Sequence, residues 1–134
     1  MTMDLEQRRV ATEATLAKYR NRSLDFKSAD CIRMVRFHLL QRGHKPPPLP
    51  QYRSLIGARR ALDRAGGMAA IFDGLLPRIA PARMLLGDIC IVPGDGGDAA
   101  LICVGYKYWG WHQDHDGPVN QVIDLNHISG AWRA

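Results

Sequence analysis

No stretch of this sequence approaches the ~20 consecutive apolar residues that a bilayer-spanning helix needs. The opening MTMDLEQRRV carries charge where a secretory signal places its apolar segment. The expectation is a soluble protein made in the cytoplasm. Cysteine is scarce: Cys31, Cys90 and Cys103 are odd in number and lack C-x-x-C spacing, which speaks against a disulfide framework and a structural zinc site. No internal repeat is visible, and neither an RRM aromatic signature nor a zinc finger is present. Acidic residues are short in the first half, where residues 1–64 hold 14 Lys/Arg against 6 Asp/Glu (+8). Residues 65–134 hold 4 against 7 (−3), so the net +5 lies wholly in the first half. A basic half suits a nucleic-acid surface, an anionic polymer, an acidic protein partner or plain solvated arginines.

What is present fits one domain. A chain of 134 residues with 46% apolar content buries roughly two thirds of its unfolded surface and needs no staples. Leu5 to Tyr19 reads as a helix. Ile32, Val35 and Leu39 fall at i, i+3 and i+7, with Ser28 as the expected N-cap and Gly43 as the stop, giving a helix over about 29–42. PPPLP at 46–50 is a stiff extended linker, its SH3-ligand reading being the weaker one. A helix starts near Ser54 and stops at Gly66-Gly67, and a short one covers Met68 to Phe72. From Leu85 the pattern changes to GDICIVPGDGGDAALICVGYKYWGW, two apolar runs around a Gly-containing hairpin tip. PVNQVIDL reads as a further strand and AWRA as a closing edge. The fold class is therefore α+β, with N-terminal helices packed on a C-terminal antiparallel sheet. The single domain 1–134 divides into an N-terminal helix (1–22), a helical half (28–84) and a β half (85–134).

Several residues carry possible chemistry. Cys31 follows Asp30 in the first turn of the second helix, where free N–H groups, the helix dipole and the neighbours Lys27 and Arg33 favour a thiolate. From local sequence it reads first as a core contact and second as a candidate nucleophile. A nucleophilic cysteine needs an imidazole. His38 lies two turns away, roughly 10 Å along the axis, too far for a direct pair. His44 is past the helix end and expected in solvent, and His127 sits at a strand end. His112 and His115, in WGWHQDHDGP with Asp114 and Asp116, have a metal-like composition but no regular third ligand, and read first as surface residues. Cys90 and Cys103 sit in apolar runs as small core residues. The tip 93–98 is no phosphate loop, since neither GKS/GKT nor G-x-G-x-x-G is present. Tyr106, Tyr108, Trp109 and Trp111 suit stacking on bases or sugars, or packing, with Tyr106 and Tyr108 on one face of a strand. No cofactor or metal is expected.

Asp30-Cys31 at a helix start, Gly87-Asp88 opening the strand GDICIV, a second strand ending in Val104-Gly105, and a closing AWR together resemble the NlpC-type papain-like cysteine peptidases. The pattern, over about residues 20–134, is similar to the short NlpC-like proteins encoded among tail genes of long-tailed bacteriophages and prophages. The resemblance implies a papain-like fold with Cys31 as nucleophile and Gly87-Asp88 as a structural turn. It further implies tail and hub proteins as partners, peptidoglycan peptides as substrate class, and the virion tail as location. The family's catalytic His opens the second strand, in a pattern H-V-G-I-Y-x-G. Here that position holds Ala99, and His112 is the residue left to supply an imidazole. The resemblance thus implies a tail-tip or tail-assembly protein with a degenerate or weak peptidase site. The alternatives are an active peptidase or amidase acting during phage entry, and a small basic nucleic-acid-binding module.

Overall fold

In the computed structural model, which describes residues 2–94, 97–112 and 115–134, Asp30 decides where the central helix begins. Its side chain accepts the Arg33 N–H at 2.9 Å and its backbone is extended, the geometry of an N-cap. The cap is thus Asp30 and not Ser28. Ser28 instead bonds Asp25 in a tight turn closed by an Asp25–Ala29 bridge, and that turn holds residues 25–29 out of the helix. Helix α1 spans Thr2–Tyr19, α2 Cys31–Gln41, α3 Leu55–Arg64 and α4 Met68–Leu75. Helix α3 has the expected cap, the Ser54 hydroxyl accepting the Gly57 N–H at 3.0 Å, and ends at the Gly66-Gly67 pair, both at positive φ.

Six strands follow: β1 (Arg78–Ile79), β2 (Ile89–Gly94), β3 (Gly97–Cys103), β4 (Tyr108–Gly110), β5 (Val119–Gln121) and β6 (Gly130–Trp132). They form one antiparallel sheet in the order β1-β6-β2-β3-β4-β5, with β2 and β3 as its central hairpin. The tip of that hairpin includes Asp95-Gly96, which lie outside the described residues, as do Gln113 and Asp114 of the His112 turn. The fold is α+β, with the helices on one face of the sheet. Ile89, Ile91, Ala100 and Ile102 face Met34, Val35, Leu39, Phe72 and Trp132. Cys90, Leu101 and Cys103 point the other way, into a smaller core with Tyr108, Ile128 and Ala131. Burial on both faces explains why β2 and β3 read as continuous apolar runs and not as alternation.

Four further sequence expectations change. AWRA is not an edge: its strand β6 lies inside the sheet, paired with β1 on one side and β2 on the other. Tyr106 does not share a face with Tyr108: β4 starts only at Tyr108, and Tyr106 stands 84% exposed in the turn after Gly105. PVNQVIDL keeps pairing only over β5, and Val122 is in solvent. His127 ends a short 3-10 turn, Leu125–His127, and is not on a strand.

Candidate active site

Cys31 is the first residue of α2, and β3 passes over it. Asp30, buried beneath, is held by Tyr52, whose hydroxyl lies 3.0 Å from both carboxylate oxygens, and by an ion pair with Arg33. The Arg33 guanidinium also lies over the Tyr52 ring at 4.4 Å and donates to the Phe26 carbonyl at 2.8 Å. Arg33 is therefore committed to Asp30 and does not act on the thiol, contrary to expectation. Burial pushes the Cys31 thiol up to about 11, and the Asp30 charge adds to the rise. Hydrogen bonding from the Ala100 backbone and from the helix N-terminus works the other way without offsetting it. The favourable helix end is real, but desolvation outweighs it.

Strand register decides which residue stands over Cys31. Ala99 pairs with Val92 and shares its face, the side of the smaller core. Ala100, fully buried, is the β3 residue on the helix side, where its backbone meets the thiol. Alanine stands at both positions, so β3 brings no imidazole to Cys31.

The histidines lie elsewhere. His112, exposed, follows β4 in a turn closed by the His115 N–H to the His112 carbonyl at 3.0 Å, with the two rings edge-on at 6.0 Å. Trp111 anchors this turn to the end of α1, its Nε1 donating to the Arg22 carbonyl at 2.9 Å and its ring meeting Tyr19. The structure brings Cys31 together with Asp30, Tyr52 and Ala100, and His112 together with His115. Among the described residues, no group of three His, Cys, Asp or Glu is arranged to hold a metal ion. His44 is half-buried, and desolvation lowers its proton affinity.

His38 is fully buried between α1 and the sheet. Its Nε2 lies 2.7 Å from the Gly87 carbonyl and its Nδ1 3.0 Å from the Thr15 hydroxyl. A neutral ring carries its proton on Nε2, donated to the Gly87 carbonyl, and the single Thr15 hydroxyl hydrogen is shared between Nδ1 and the Ala11 carbonyl, 2.9 Å away. Burial lowers its pKa to about 4, and the Arg42 and Arg8 charges act in the same direction. Beside it, Asp88 is wholly buried and accepts from Arg8 (2.8 Å), Arg133 (2.9 Å) and the Leu85 and Ala134 N–H groups (2.8 and 3.0 Å). Gly87 has φ +88°, and a Cβ there would stand 3.1 Å from the Thr12 hydroxyl. The Gly-Asp pair is thus a structural clasp joining α1, α2 and β2. Sequence reasoning missed Arg8 because an arginine on a helix reads as solvated. Asp88 calls for a cation only because the fold buries it, and no local signal in the sequence announces that burial.

A helix packed on a central antiparallel hairpin, with further helices on the same face, is an arrangement that this chain shares with a solved P60 domain. The chain is similar to the P60 domain of the M. avium paratuberculosis antigen MAP1272c, a crystal structure, with a TM-score of 0.63 over 99% of this chain and 97% of that one. At 13% identity this likeness concerns the fold. Residues 3–134 match the family described as a domain of unknown function (DUF6950), and the chain belongs to that family. No curated protein matches it.

Proposed function

We propose that this chain is an NlpC/P60-type domain that has kept the peptidase fold and works as an assembly component of a phage or prophage tail tip, with its hydrolytic site degenerate. The observation that carries the reading is the environment of Cys31: a desolvated thiol with a pKa of about 11 under a strand that presents alanine where an imidazole is needed. Papain-like acyl transfer requires a thiolate to attack and a positioned acid to protonate the leaving amine. Loss of that acid–base group alone costs about 10²- to 10⁴-fold in rate. The tail context rests on the order of Asp30-Cys31, Gly87-Asp88 and the AWR strand, which resembles the short NlpC-like proteins of tail gene clusters. Tail and hub proteins are then its partners and the virion tail its location, while cleavage of peptidoglycan peptides is weak or absent.

Two measurements test this. Purified protein incubated with peptidoglycan stem peptides is expected to give no turnover that Cys31→Ala removes. Immunogold labelling of virions carrying the gene is expected to mark the tail tip. Cys31-dependent cleavage at the rate of an ordinary peptidase overturns the degenerate-site reading, and virions lacking the protein overturn the assembly reading.

A further inference from the structure

Helices α2, α3 and α4 surround an apolar groove of about 280 Å³ that begins one residue past Cys31, at Ile32. Val35 and Leu39 form its floor, Leu62 and Ala65 one wall, and Ile71 and Phe72 the other. The proline-rich strap 46–50 closes the remaining side, tied down where Arg36 Nε donates to the Pro47 carbonyl at 3.0 Å. The lining offers little to orient a small polar ligand: the Tyr52 hydroxyl is turned to Asp30, and Arg36 is engaged with the strap. The concave shape suits apolar side chains that project from a partner, whereas a bilayer is engaged by projecting residues.

The charge around the groove narrows the partner. Of the 14 Lys/Arg in residues 1–64, four (Arg8, Arg9, Arg33 and Arg42) pair with carboxylates among the described residues, and the others do not. Arg36 lines the groove, and Lys45, Arg53 and Arg64 each immediately adjoin a lining residue. Against these stand Asp63 and Asp73, the latter neutralised by Arg78. Four of the ten unpaired first-half cations therefore lie at or next to lining residues of the groove, which leaves its border net positive.

We infer that this groove docks an acidic peptide segment of another protein, a short helix presenting two large apolar anchors at i, i+3 or i+4 flanked by Asp or Glu. The anchors enter between α3 and α4, and the acids face Lys45, Arg53 and Arg64. The groove adjoins the Cys31 site through Ile32 and Tyr52 without including Cys31 in its lining, and the inference is independent of the tail-assembly reading.

The test is selection of a random 12-residue displayed peptide library on the immobilised full chain, followed by anisotropy titration of synthetic copies of the enriched peptides. Enriched sequences are expected to pair apolar anchors at helical spacing with acidic flanks. Ala65→Trp, which fills the groove from an exposed position, is expected to weaken their binding about tenfold or more. The double variant Lys45→Glu/Arg64→Glu, at exposed positions without ion pairs, is expected to weaken it several-fold at ~50 mM salt, with little difference near 0.5 M. Should Ala65→Trp fail to fold by circular dichroism, the charge-reversal pair decides alone. No enrichment, enrichment without acidic residues, binding indifferent to these variants, or capture of phosphatidylcholine/phosphatidylglycerol vesicles in place of peptides overturns the proposal.

Discussion

Asp88→Ala removes the carboxylate on which two arginines and two backbone N–H groups converge. Arg8 is 3% exposed and cannot regain water without moving α1 off the sheet, whereas Arg133, 31% exposed, can partly resolvate. Breaking a buried ion pair at one end costs about 3–5 kcal/mol, chiefly because the other charge is left unpaired. With an unfolding entropy of ~2.1 cal/mol/K per residue, a chain of this length loses roughly 3–4 °C per kcal/mol, so Tm is expected to fall by roughly 11–18 °C. Calorimetry on wild type, Asp88→Ala, Arg8→Met and the double variant measures both the loss and its coupling. The double variant should recover part of the single loss, since it removes a buried guanidinium that otherwise keeps only the half-exposed Asp4 carboxylate and the Leu86 and Ala134 carbonyls. A loss below about 1 kcal/mol, or additivity of the two substitutions, would refute the assignment of Gly87-Asp88 as a clasp.

Three further outcomes are expected. His38 is neutral when folded, with a pKa of about 4 against 6.5 for the ordinary group, so the unfolded chain binds its proton first. Its contribution, roughly 3 kcal/mol, is present above pH 6.5 and lost as pH falls through 4; urea titrations should show this slope, and His38→Gln should flatten it. Iodoacetamide should alkylate Cys31 before the buried Cys90 and Cys103, with a rate rising about tenfold per pH unit between 8 and 10; a plateau below pH 8 would mean a thiolate that the structure does not support. The Thr12 hydroxyl is buried with no hydrogen-bond partner among the described residues, so isosteric Thr12→Val should raise stability by ~1 kcal/mol in the same melts.

The helices were legible because their signals are local. The Ser54 cap, the Gly66-Gly67 stop and the i, i+3, i+7 spacing of Ile32, Val35 and Leu39 each act within one or two turns, and all reappear in the structure. The apolar runs of β2 and β3 were equally readable, since burial on both faces needs no knowledge of the partner. Shorter elements were not. β1 is two residues that exist only through pairing with β6, and Tyr106 fell outside β4 because Gly105 turns the chain first.

For the candidate site, the order of residues alone determined that a cysteine follows an aspartate at a helix start and that the second apolar run carries Ala99 and Ala100 and no histidine. Only the tertiary structure decided what that cysteine is. Arg33, adjacent in sequence and positive, is drawn away by Asp30 and Tyr52, and β3, some 70 residues on, covers the thiol and desolvates it. In the same way His38 is one more polar residue on a helix until Thr15 and Gly87 close around it from 23 and 49 positions away. Periodicity and caps are properties of neighbours along the chain. The charge state of a buried group is set by whichever distant segments exclude water from it, and those become known only when the chain is folded.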